Sequence, residues 1–76
     1  MADGKITPVK APMVGKIIQV LVKPGDAVKE NQTIIVFESM KMEMEIVSPA
    51  TGTVKEVKVA PGVVIEAEQV LLTIES

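Results

Sequence analysis

Thr33-Ile34-Ile35-Val36-Phe37-Glu38-Ser39-Met40-Lys41-Met42-Glu43-Met44-Glu45-Ile46-Val47 reads either as one strand or as two. Thr33 to Phe37 is β-branched and aromatic, and Met44 to Val47 closes the stretch in the same extended character. A single strand over all of it would far exceed the usual length of about 5–6 residues, so the chain must reverse inside it. An internal repeat locates the reversal. Shifted by 37 residues, the sequence falls on itself without a gap: Pro12 on Pro49, Gly15 on Gly52, Val20 and Val22 on Val57 and Val59. Pro24-Gly25 likewise falls on Pro61-Gly62, Gln32 on Gln69, and Glu38-Ser39 on Glu75-Ser76. The first copy ends at Ser39, so the turn belongs near Met40 to Met42. Met-Lys is a poor two-residue turn beside Asn-Gly or Asp-Gly. A poor turn sequence where a turn is required implies that something other than folding selected these residues.

Outward from that turn, the chain reads as short apolar runs separated by Pro and Gly. Gly15 to Val22 is expected as a strand, with Ile18, Val20 and Val22 sharing the buried parity. Val54 to Val59 alternates, and Val70 to Ile74 is the last strand. Ala11 to Gly15 and Ser48 to Gly52 read as bends. Pro24-Gly25-Asp26 and Pro61-Gly62 read as turns in which Pro presets φ and Gly supplies positive φ. Val28 to Gln32 is a short link with Asn31 as its left-handed residue. Glu66 to Gln69 has fair helix propensity but is too short to stand as a helix. Two copies of one strand–turn–strand unit follow, related by an approximate two-fold. Neither half can bury its apolar face alone, so the halves should interlock around one core. Residues 1–8 are expected as a flexible N-terminal segment leading into the first strand, with Met1 to Lys5 loose, and 9–76 as the domain.

Composition narrows the function. The 76 residues contain no cysteine and no histidine, and Phe37 is the only aromatic. The commonest general base, thiol nucleophile and metal ligands are therefore missing. No catalytic or metal site is expected, because the remaining candidates are paired carboxylates such as Glu43 and Glu45, which are ordinary alternate positions of a strand. Ten acidic residues against eight lysines give a formal charge of −2, without the basic stripe or stacking aromatics of a nucleic-acid binder. No apolar run approaches membrane-spanning length, and no basic-then-apolar leader opens the chain. A soluble cytoplasmic domain is the expectation.

One reading of Lys41 is a solvated turn lysine with its methionines partly in the core; Val57-Lys58-Val59 presents the same alternation. Lys41 differs in its place at the repeat junction and in its flanks. Two methionines exposed at a tip suit a soft surface that a partner grips. Glu38, Glu43 and Glu45 read as outward positions of alternating strands, with a recognition patch for a basic partner as the sharper alternative.

Glu38-Ser39-Met40-Lys41-Met42-Glu43 resembles the attachment motif of biotinyl domains, centred on Met-Lys-Met. The resemblance runs from about Val9 to Glu75 and includes Ala11-Pro12-Met13-Val14-Gly15, Lys23-Pro24-Gly25-Asp26 and Ser48-Pro49-Ala50-Thr51-Gly52. It implies a flattened all-β barrel or sandwich of two small antiparallel sheets, a barrel-sandwich hybrid with the attachment lysine on a hairpin tip opposite the termini. It further implies Lys41 as the site of covalent biotin, with Met40 and Met42 as recognition flanks. The implied partners are a biotin protein ligase, a biotin carboxylase, and a carboxyltransferase or decarboxylase component. The domain itself would be a non-catalytic carrier. Ser39 stands where alanine is commonest in the family, and Asn31 where glycine is frequent. The gapless repeat leaves no room for the protruding loop that some bacterial acetyl-CoA carboxylase carriers insert. Two competitors resemble the same scaffold. A lipoyl domain typically has Asp before its lysine and a small residue after it, unlike Met40 and Met42. An unmodified barrel-sandwich interaction domain would need no special lysine.

Overall fold

Short apolar runs broken by Pro-Gly corners become eight strands in the computed structural model, which describes residues 4–76; the expectation for Met1 to Asp3 lies outside the described residues. The flexible lead-in expected up to Pro8 is corrected from Lys5 on, where Lys5 exchanges backbone bonds with Ser76 and Ile6 to Pro8 pair with the last strand. In chain order the strands are β1 (Ile6–Lys10), β2 (Gly15–Val20), β3 (Ala27–Val28), β4 (Thr33–Ser39), β5 (Met42–Val47), β6 (Gly52–Val57), β7 (Val64–Ile65) and β8 (Val70–Glu75). No helix occurs among the described residues; Glu66 to Gln69 is a turn. All pairings are antiparallel, in two four-stranded sheets ordered β1-β8-β6-β3 and β5-β4-β2-β7. The expected all-β sandwich of two antiparallel sheets is therefore the observed one.

The order of strands explains why neither half stands alone. In each sheet, one half supplies the central pair and the other half supplies both edges: β4 and β2 lie between β5 and β7, while β8 and β6 lie between β1 and β3. Backbone bonds at the corners repeat the exchange at the 37-residue shift. Gly25 N–H donates to the Val54 carbonyl as Gly62 N–H donates to that of Ile17, both at 2.8 Å. Ser48 N–H reaches the Gln32 carbonyl at 2.8 Å as Ala11 N–H reaches that of Gln69 at 2.9 Å. The left-handed corners repeat too: Gly25 (φ 97°) with Gly62 (φ 92°), and Asn31 (φ 73°) with Glu68 (φ 72°). Pro24-Gly25, Pro61-Gly62 and Asn31 are legible as corners in the sequence. Glu68 is not, because nothing in its chemistry favours that backbone.

The core is aliphatic around one ring. Ile17, Ile34, Ile35, Phe37, Val54, Ile65, Leu71, Leu72 and Ile74 are all buried. The parity expected for β2 needs correcting. Ile17, not Ile18, points inward; Ile18 is exposed, Val20 is half-buried against the core, and Val22 is buried just beyond the strand's end. The cause is a β-bulge: Ile17 pairs with Phe37 but Gln19 pairs with Val36, so Ile18 is the extra residue and the alternation resets. The same bulge recurs in β6, where Val54 pairs with Ile74 and Glu56 with Thr73. A second matched pair of irregularities lets consecutive residues Ile34-Ile35 and Leu71-Leu72 all face the core.

The path from the β4–β5 turn to the termini runs the length of the molecule, whose largest extent is 42 Å. Beside the turn, Lys16 pairs with Glu38. The chain then follows β2 and continues to Asp26, whose carbonyl takes the Val54 N–H. Next along is Thr53, the partner of Glu75. There the chain ends are tied together, with Lys5 N–H on the Ser76 carbonyl at 3.2 Å and Ser76 N–H on that of Lys5 at 3.0 Å. The turn and the Lys5–Ser76 pairing thus occupy opposite ends.

Candidate functional site

Ser39 and Met42 are the last paired residues of the β4–β5 hairpin, so Met40 and Lys41 alone make its turn. Both have left-handed backbone, with φ 55° and 65°. Two positive-φ residues give the type I′ geometry whose twist matches the flanking strands. For L-residues with a Cβ this conformation costs roughly 1–2 kcal/mol each. Their side chains recover none of it by packing. Met40 is 87% exposed, Met42 is 62% exposed, and Lys41 is exposed between them. Met44 behaves differently: it faces Phe37 across the hairpin and packs on the core.

The base beneath this turn is firm. Phe37, fully buried, pairs with Ile17 on one side and Met44 on the other. Ser39 is buried, and its Oγ donates a 2.8 Å hydrogen bond to the Val14 carbonyl, joining the hairpin end to the bend before β2. A buried hydroxyl with a partner of this quality contributes about 1 kcal/mol. Sequence reading marks Ser39 only as standing where alanine is commonest in the family and misses this tie.

The charges near the tip are carboxylates on the outward face. Glu38 lies directly opposite Glu43, with Lys16 on its other side. Like charges opposite one another weaken a strand pair slightly. Glu45 has a role within the sheet, accepting a 2.9 Å hydrogen bond from Thr33 Oγ1. Among the described residues the one ion pair is Lys58 with Glu56 at 3.7 Å, so no carboxylate holds the Lys41 amine in place. Among the described residues there is also no pocket, and no cluster of three candidate metal ligands. The structure therefore brings together all three residues singled out in the sequence, Met40, Lys41 and Met42, at one exposed tip.

The turn thus presents one exposed amine at the end of an all-β sandwich, the arrangement of a non-catalytic carrier domain. Residues 7–74 match the model of the biotin-requiring enzyme family, and the chain belongs to that family; the group such a carrier holds covalently is biotin. Over 41 residues the chain is 54% identical to the methylmalonyl-CoA decarboxylase subunit gamma of Veillonella parvula, covering 54% of this chain and 32% of that one. It is 58% identical over 38 residues to the biotin carboxyl carrier protein of Streptococcus mutans, covering 50% of this chain and 29% of that one. The matched segments thus span less than a third of these relatives' lengths. In fold, a single-chain, multi-domain long-chain acyl-CoA carboxylase superposes over 99% of this chain and 8% of its own, with a TM-score of 0.87 at 24% identity.

Proposed function

We propose that Lys41 carries the biotin, that Met40 and Met42 are the flanks by which a biotin protein ligase recognises it, and that the loaded domain moves carboxyl groups within a biotin-dependent carboxylase, decarboxylase or transcarboxylase. The observation that carries this reading is the turn. Two residues with unfavourable left-handed backbone present exposed side chains, in a place where Asn-Gly would fold better. Folding does not explain Met-Lys there, and presentation of an amine does.

The chemistry divides between proteins accordingly. Lysine amines are protonated near neutral pH and are then not nucleophiles. This chain has no histidine and no thiol to take the proton. The ligase must bring a biotin whose carboxyl carbon is already activated and must remove the proton. Nζ then forms the amide bond while the leaving group departs with its electron pair. Once attached, biotin's ureido ring accepts a carboxyl group at a biotin carboxylase and yields it at a carboxyltransferase or decarboxylase component. The domain supplies position: a mobile arm on a base fixed by Phe37 and Ser39, which raises the local concentration of the ring at each partner.

Incubation with biotin, ATP and a biotin protein ligase should raise the intact mass by one biotinyl group, and Lys41→Arg should abolish the gain while leaving the melting temperature unchanged. Modification persisting in Lys41→Arg would remove the site assignment. Lipoate taken up in place of biotin would favour the competing carrier.

A further inference from the structure

The two-fold that relates the halves also provides an internal reference for which residues the fold itself requires. At the turn end, the bend before β2 carries Met13 and Val14, and β7 carries Val64 beside Lys16. Shifted by 37 residues, the same places at the terminal end hold Ala50, Thr51 and Ala27. Val14 and Val64 are 59% and 66% exposed, and Met13 is 36% exposed. The fold therefore makes both ends with the same backbone, yet at these matched positions the lysine end carries the larger apolar side chains, while the terminal end's exposed apolar residue is Ile6, beside Glu75. The matched ends also differ in hydrogen bonding. Thr51 Oγ1 accepts the Glu30 N–H at 3.0 Å, whereas Val14, at the matching place, has no side-chain oxygen to offer the matching Ala67 N–H.

We infer that Met13 and Val14 form, with Met40 and Met42, one apolar contact surface for the protein that acylates Lys41. This inference rests on the carrier reading above. The Ser39 bond to the Val14 carbonyl holds the backbone of the bend alongside the turn. The choice of partner follows from reach. The ligase reacts at Nζ, one side-chain length from the turn backbone, so it must seat against whatever surrounds the turn. The carboxylase and the transferase react at a ring on the far end of the lysine–biotin arm and need not touch the bend. The partner's surface should be apolar where it meets the four side chains and basic where it passes Glu38 and Glu43, which border them on the hairpin.

The test transplants the residues that the other end of the molecule already uses. Met13→Ala/Val14→Thr should keep the melting temperature of the parent while raising the KM for the domain in biotinylation about tenfold, the loss expected of central apolar contacts. The reciprocal Ala50→Met/Thr51→Val should leave biotinylation unchanged. Once fully biotinylated, Met13→Ala/Val14→Thr should be carboxylated by a biotin carboxylase at the parent rate. Loading of Met13→Ala/Val14→Thr at the parent rate would overturn the inference, as would a defect confined to the carboxylation step. If the double variant unfolds, Val14→Lys, which alters only an exposed side chain, replaces it under the same criteria. Failure of the unsubstituted domain to accept biotin would instead strike the carrier reading itself, so the two failures are distinct.

Discussion

Gly15 has no room for a side chain. A Cβ there would lie 2.7 Å from the Phe37 ring and 2.7 Å from the Glu38 carbonyl oxygen, so the backbone of β2 approaches β4 directly beneath the turn. Gly15→Ala should destabilise the fold by about 1–3 kcal/mol through overpacking, read as a lower midpoint in urea unfolding; an unchanged midpoint would mean that the hairpin base is looser than described. The sequence marks Gly15 only as a repeat-matched bend residue, because close approach is a property of two strands and not of one. Ser39 is similar. Its partner lies 25 residues away in sequence, so local pattern reads it as a neutral small residue. Lys41 is legible for the opposite reason: its importance lies in its position relative to the repeat and in its immediate neighbours, both of which are written in the chain.

At the scale of elements, the β4–β5 hairpin sets presentation against folding. Met40→Asn should stabilise the domain by about 0.5–1 kcal/mol, since Asn adopts the left-handed backbone more readily, and it should slow biotinylation. Thermal melts and loading rates on the same variant check both halves of that statement; a stability loss would mean that Met40 serves the fold. The five longer strands of the sequence reading appear where Val, Ile and Leu cluster, and the hairpin appears where the repeat breaks. Three features escape the pattern. Ile6 to Pro8, expected within the flexible lead-in, pair with Glu75 to Thr73 as the start of β1, because an edge of the other half's strand pair is there to receive them. β3 and β7 are two residues each, too short for any periodicity, and they exist because a strand of the other half is there to pair with. The bulge at Ile18 resets the alternation of β2, so counting by twos from Val22 places Ile18 inside, when Ile17 is the buried one.

For the whole molecule, the interleaving of halves predicts that neither folds alone. Residues 1–39 and 40–76, made separately, should lack dispersed amide resonances, because each central strand pair would lose both edge strands and the facing sheet. A folded isolated half would contradict the interlocked core. The gapless repeat makes the two-fold and the shared core legible in the sequence, whereas the exchange of edge strands between sheets is not, since a repeat states that two units are alike and not which strands of each become neighbours. The interlock matters for function because it ties the turn, at one end, to the pairing of strands across the entire length, leaving one amine on a fixed mount. Fragment mapping of the ligase-treated domain by tandem mass spectrometry tests this most directly. A single biotinyl group on Lys41, with the other seven of the eight lysines bare, is the predicted result; biotin on Lys16 or any other amine, or spread over several, would contradict it.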